Sequence, residues 1–73
     1  MSPLPMVSSE QAVKAFEKAG WTVARRGNHI ILIKPGSIAS LSVPSHKEVA
    51  PGTLRKLIRL AGLTTEEFEN LIK

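Results

Sequence analysis

The sequence holds two histidines, His29 and His46, and each has basic residues beside it. Arg25 and Arg26 precede His29, and Lys47 follows His46 directly. Histidine ordinarily titrates at about pH 6.5, so it can accept and return a proton near neutrality. Lysine and arginine can stabilise negative charge that develops on phosphoryl oxygens. These residue types therefore suit proton transfer next to a phosphate.

Each histidine also has an ordinary interpretation, which the residues alone do not exclude. His29 can be a hydrogen-bonded residue at the end of a strand, and His46 can be a solvated loop residue. A zinc site is disfavoured, because the chain has no cysteine and only these two widely spaced histidines. We therefore expect neither a metal nor another cofactor.

Positive charge is concentrated in the first 63 residues. Nine Lys/Arg and three Glu lie in residues 1–63, whereas residues 64–73 hold one Lys and three Glu. A second basic cluster follows His46 and comprises Lys47, Arg55, Lys56 and Arg59. A polyanion such as RNA is a plausible partner, and a soluble surface rich in lysine and arginine is the alternative. The three aromatic residues are too few for single-strand binding that depends mainly on base stacking.

The length and composition indicate one small domain. The chain has 73 residues and no cysteine, which fits a reducing compartment such as the cytoplasm. No apolar run approaches the roughly 20 residues that span a bilayer, so we expect no membrane association. Residues 1–7 contain two prolines and no basic residue and are predicted to be a flexible tail. Residues 8–73 then form the single domain.

The hydrophobic periodicity predicts an order of helix, three strands, helix and short helix. Ser8 and Gln11 have capping-box spacing at the first helix, and Thr64 and Glu67 have it at the third. Strands are predicted at residues 21–25, 29–34 and 40–43. The turn at residues 26–28 is attributed to Gly27 and Asn28, which tolerate positive φ. Residues 44–50 are predicted to be a polar loop, and the second helix to start near Pro51.

These elements predict an α+β fold. Short turns force the three strands to pair antiparallel, and both long helices must cover the same sheet face to bury their apolar stripes. The result is a three-stranded antiparallel sheet with helices on one face, α-β-β-β-α plus a short C-terminal helix. This is the layout of a double-stranded-RNA-binding domain. A fold alone does not identify a function.

Over about residues 8–63 the sequence resembles the HicA (YcfA-like) toxin family. The resemblance rests on Gly27-Asn28-His29, on Val43-Pro44-Ser45-His46, and on a second helix that closes on Gly62-Leu63. The opening helix, which ends in Gly20-Trp21, is also similar. Many members carry a second histidine after the first, where this chain has Ile30.

The resemblance implies an mRNA endoribonuclease toxin of a type II toxin–antitoxin system, neutralised by a HicB-type antitoxin. It implies that His29 is the catalytic residue. His46 is a candidate second acid or base. Arg25, Arg26, Lys47, Arg55, Lys56 and Arg59 are candidate RNA-binding residues. The reaction would proceed without a metal, by attack of the ribose 2′-hydroxyl on the adjacent phosphorus.

Two other functions remain compatible with the sequence. The chain can be a double-stranded-RNA-binding module without chemistry, because the fold and the charge suit that role equally well. It can also be a protein-interaction domain whose sheet face docks a partner and whose charge is incidental.

Overall fold

A computed structural model describes residues 6–45 and 48–72 of the chain. The elements are β1 (Val7–Ser8), α1 (Ser9–Lys18), β2 (Thr22–Arg26), β3 (His29–Ile33), β4 (Leu41–Pro44), β5 (Glu48–Val49), α2 (Pro51–Leu60) and α3 (Thr65–Leu71). The predicted order of helices and of the three main strands is confirmed, and these strands lie within one residue of their predicted bounds.

The main sheet has the antiparallel order β2-β3-β4. Across it, Ile30 lies opposite Arg26 and Val43, and Leu32 lies opposite Val23 and Leu41. Side chains alternate between the two faces of a strand, so these residues share one face. Four of them, Ile30, Leu32, Leu41 and Val43, are buried. The helices cover this face, which confirms the predicted α+β fold.

Local sequence signals determine where the helices begin. The Ser8 hydroxyl accepts a hydrogen bond from the Gln11 backbone N–H, and the Gln11 side chain accepts one from the Ser8 N–H. Thr64 and Glu67 form the same reciprocal pair at α3. Both predicted capping boxes are thus present, and they satisfy backbone donors that the first turn of a helix leaves unpaired. Helix α2 begins at Pro51 and has no side-chain cap.

A second, two-stranded sheet corrects two predictions. Strand β1 pairs antiparallel with β5, so that Val7 lies opposite Val49 and Ser8 opposite Glu48. Val7 and Val49 are both buried. The assignment of Val7 to a flexible tail was therefore wrong, and so was a strand-free loop over all of residues 44–50. Burial of these two valines provides the driving force for the pairing.

Helix α3 completes the core. Phe68 is fully buried, and its ring centroid lies 5.2 Å from that of Phe16 in α1, with the rings tilted by 44°. Aromatic pairs favour such tilted geometry. The Lys18 ammonium also donates a hydrogen bond to the Leu71 carbonyl oxygen. Within the described residues, no helix is long and apolar enough to cross a bilayer.

Candidate functional site around His29

His29 lies on the face of the main sheet that the helices leave open. It begins β3, pairs with Pro44 of β4, and is exposed. Ile31 and Ile33 follow at two-residue spacing and therefore lie on the same face, where Ile31 is partly buried and Ile33 is half exposed. The open face thus presents an apolar surface with an imidazole at one end.

A shallow cavity of about 240 Å³ contains His29. Its lining is formed by Arg25, Gly27, Asn28, His29 and Ile31. Arg25 belongs to this cavity because it lies opposite Ile31 in the β2–β3 register. We call this the His29 cavity. It places an imidazole and a guanidinium at the same solvent-accessible depression, and no described residue forms a side-chain hydrogen bond with the imidazole.

The structure separates Arg25 from Arg26. Arg26 lies opposite buried Ile30, so it is directed to the helix side of the sheet. There its guanidinium contacts a Glu10 carboxylate oxygen at 3.4 Å, with both side chains more than half exposed. Of the two predicted arginines, Arg25 alone lines the cavity of His29.

Ser45 holds the turn that precedes His29. Its hydroxyl donates a 2.7 Å hydrogen bond to the Gly27 carbonyl oxygen, and its backbone N–H donates one of 3.1 Å to the Asn28 carbonyl oxygen. The Ser9 hydroxyl donates in turn to the Pro44 carbonyl oxygen at 2.6 Å. The start of α1, the end of β4 and the turn are therefore connected by hydrogen bonds.

The backbone of the turn differs from the prediction. Neither Gly27 nor Asn28 has a positive φ, whereas Gly20, Gly36 and Gly62 do. The attribution of this turn to positive φ was therefore wrong. Hydrogen bonds from Ser45, and one of 3.2 Å from the Gly27 N–H to the His29 carbonyl oxygen, maintain it instead.

The basic residues of α2 lie away from the His29 cavity. The buried side of α2, formed by Leu54, Leu57 and Ile58, packs into the core on the helix side of the sheet. Arg55, Lys56 and Arg59 are exposed. Arg55 and Arg59 line a second depression of about 480 Å³ that reaches Leu63, Thr64 and Thr65 at the start of α3. These arginines form a separate positively charged surface.

Two of the predicted site residues, His46 and Lys47, lie outside the described residues. Among residues 6–45 and 48–72, no group of three His, Cys, Asp or Glu side chains is arranged so that it could hold a metal ion.

Sequence reasoning missed the role of Ser45. Ser45 belongs to the segment Val43-Pro44-Ser45-His46, which carries part of the family resemblance, but no structural role was predicted for it from the sequence. Serine side chains outside regular elements often form hydrogen bonds to backbone groups, and this was the available signal. Its acceptor is 18 residues distant along the chain, which the local pattern cannot predict.

Comparison with known proteins identifies one family. The sequence model of a family described as "HicA toxin of bacterial toxin-antitoxin" matches residues 9–63, which include the main sheet, α1, α2 and His29. A search of curated proteins found no match.

Proposed function

Because this chain belongs to the HicA toxin family of bacterial toxin–antitoxin systems, we propose that it is an endoribonuclease that cuts mRNA with His29. The observation that carries the proposal is the cavity shared by His29 and Arg25 on the open sheet face. The His29 imidazole can transfer protons, and the Arg25 guanidinium is permanently charged. Both line the same solvent-accessible cavity, which a large substrate can reach.

The proposed reaction uses the ribose 2′-hydroxyl as the nucleophile. His29 removes the hydroxyl proton, the 2′-oxygen bonds to phosphorus, and the bond from phosphorus to the 5′-oxygen breaks. Arg25 stabilises the charge that develops on the phosphoryl oxygens. The leaving 5′-oxygen takes a proton, for which His46 is the candidate donor. The products are a 2′,3′-cyclic phosphate and a 5′-hydroxyl.

Further RNA contacts are proposed for the other basic residues. Arg26, Lys47, Arg55, Lys56 and Arg59 would contact phosphates, which position a nucleic acid without reading its sequence. Because α2 lies on the helix side of the sheet, its contacts would fall on RNA beyond the segment that enters the His29 cavity.

The family belongs to bacterial toxin–antitoxin systems, in which a toxin has an antitoxin as its partner. We propose that the antitoxin is of the HicB type and that the substrate is cellular mRNA, which implies action in the cytoplasm. The layout of a double-stranded-RNA-binding domain favours one second candidate, an RNA-binding module without chemistry.

One experiment separates the two functions. Labelled RNA is incubated in EDTA with the wild-type protein, with His29→Ala, and with Thr22→Ala as a control on the same sheet. We expect wild type and Thr22→Ala to cut, and His29→Ala to bind without cutting. His29 is exposed, so its loss should change the free energy of unfolding by at most about 0.5 kcal/mol.

Three outcomes would contradict the proposal. Full activity in folded His29→Ala protein would remove this residue from the mechanism. Activity lost in EDTA and restored by magnesium or manganese would show that the reaction needs a metal. Binding without cleavage by the wild-type protein would favour the RNA-binding module.

A further inference from the structure

Another cavity lies on the helix side of the turn before His29. It has a volume of about 280 Å³ and is lined by Ser8, Ser9, Glu10, Arg26, Gly27, Ile30 and Ser45. We call it the helix-side cavity. Gly27 lines both this cavity and the His29 cavity, so the two depressions meet at the turn.

Nothing in the fold requires a glycine at position 27. Its φ lies outside the left-handed region, so an alanine here would avoid the strain that a positive φ imposes on L-residues. A methyl group built at its Cα would have no heavy atom within 4 Å, apart from its chain neighbours. The missing side chain therefore serves neither the turn nor the packing. It leaves no side chain at the residue that lines both cavities.

We propose that the helix-side cavity is a second RNA subsite, which binds the nucleotide next to the one cut at His29. The RNA strand passes over Gly27, and Arg26 contacts the phosphate of the nucleotide in the helix-side cavity. Cleavage at His29 is the part that rests on the proposed function. The subsite itself rests on the two adjoining cavities and on the unobstructed glycine between them.

Among the described residues that line the helix-side cavity, Arg26 is the only cation. The Ser9 hydroxyl donates to the Pro44 carbonyl oxygen, and the Ser45 hydroxyl donates to the Gly27 carbonyl oxygen. A guanidinium has five N–H donors, and the contact of Arg26 with Glu10 uses one nitrogen at 3.4 Å. An exposed pair of this length contributes little stability, so a phosphate can compete for the arginine.

Glu10 defines which anion the cavity accepts. Its carboxylate repels a bare anion such as inorganic phosphate, but it can accept hydrogen bonds from ribose hydroxyls or base amino groups. A ribonucleotide within a strand presents one negative charge together with such donors. The ligand class is therefore a phosphodiester-linked ribonucleotide.

The test measures RNA binding without cleavage. The dissociation constant of a labelled RNA oligonucleotide is determined for His29→Ala protein, and again after adding Arg26→Ala or Lys14→Ala. Lys14 is an exposed cation of α1 outside the described cavities, so its removal controls for net charge. We expect Arg26→Ala to weaken binding about tenfold, as for loss of a charge-assisted contact, and Lys14→Ala to weaken it by less than about twofold.

A glycine pair tests the path over the turn. In the same His29→Ala background, Gly27→Ala is compared with Gly52→Ala, since Gly52 also has open space around it. Both variants should melt at or slightly above the temperature of the parent, because alanine restricts the unfolded chain. Gly27→Ala should nevertheless weaken RNA binding about fivefold relative to Gly52→Ala.

The outcomes are decisive for the subsite. Equal affinities within either pair of variants, or no RNA binding at all, would overturn it. RNA that binds as expected but is never cut by the protein with His29 intact would reject the ribonuclease and leave the subsite standing.

Discussion

The hydroxyl of Ser45 donates a 2.7 Å hydrogen bond to the carbonyl oxygen of Gly27. This bond joins the end of β4 to the turn from which His29 emerges. A second bond, from the Ser45 N–H to the Asn28 carbonyl oxygen, restrains the same turn. Ser45 lines the helix-side cavity and not the His29 cavity, and its hydroxyl is already bonded to Gly27, so it acts on His29 through the turn.

Ser45→Ala should reduce cleavage far more than it reduces stability. An exposed hydrogen bond is worth at most about 1 kcal/mol, whereas a small displacement of a reacting group can lower a rate about 10- to 100-fold. Turnover rate and RNA affinity are measured separately, and we expect the rate to fall while affinity changes little. Ser45→Thr should restore the rate. Ser42→Ala, in the same strand pair, is the control. A uniform loss of rate and affinity would contradict a positioning role.

A substrate with one 2′-deoxy nucleotide tests the nucleophile. If the 2′-hydroxyl attacks phosphorus, replacing it on the 5′ side of the cleaved bond should block cutting at that bond. Binding should barely change, because phosphate contacts dominate affinity. A strand with the deoxy nucleotide several positions away is the control. Efficient cutting at the deoxy position, or a product with a free 3′-hydroxyl, would instead indicate attack by water.

The basic surface of α2 should contribute to the salt dependence of RNA binding. Each phosphate contact on a single strand adds about 0.7 to the slope of log affinity against log salt concentration. Arg55→Gln/Arg59→Gln should therefore lower the slope by about 1.4 if both arginines contact phosphates. Affinities are measured across a range of salt concentrations in His29→Ala protein, with Lys14→Gln as the control. An unchanged slope would assign the α2 arginines to a merely solvated surface.

Helix α3 lies beyond the family match at residues 9–63, yet it contributes Phe68 to the core. Phe68→Ala should lower the free energy of unfolding by about 3–5 kcal/mol, because it leaves a cavity against Phe16. Denaturant unfolding measures the loss, with the exposed α3 residue Asn70 changed to alanine as the control. A loss below about 1 kcal/mol would mean that the core closes without α3.

Features that depend on neighbouring residues were predictable from the sequence. The capping boxes at Ser8 and Thr64 join residues three positions apart, and the apolar stripe of α1 repeats within one helix. Short turns forced the antiparallel order of the main strands. These signals, together with the pattern around His29, were sufficient for the fold and the family. The catalytic role of His29, the role of His46 and the RNA contacts of the basic residues stay predictions.

The tertiary structure decided what depends on residues far apart in the chain. Val7 lies 42 positions from Val49, and strands of two residues are too short for their periodicity to predict such a pairing. Arg25 and Arg26 are adjacent in sequence, so strand alternation puts them on opposite faces of the sheet. Which of the two faces the His29 cavity depends on how β2 pairs with β3, and this register places Arg25 there. The sequence by itself determined which residues could do chemistry. The hydrogen bonds of Ser45 and the shared position of Gly27 followed only from packing, because both depend on how β4 and α1 meet the turn.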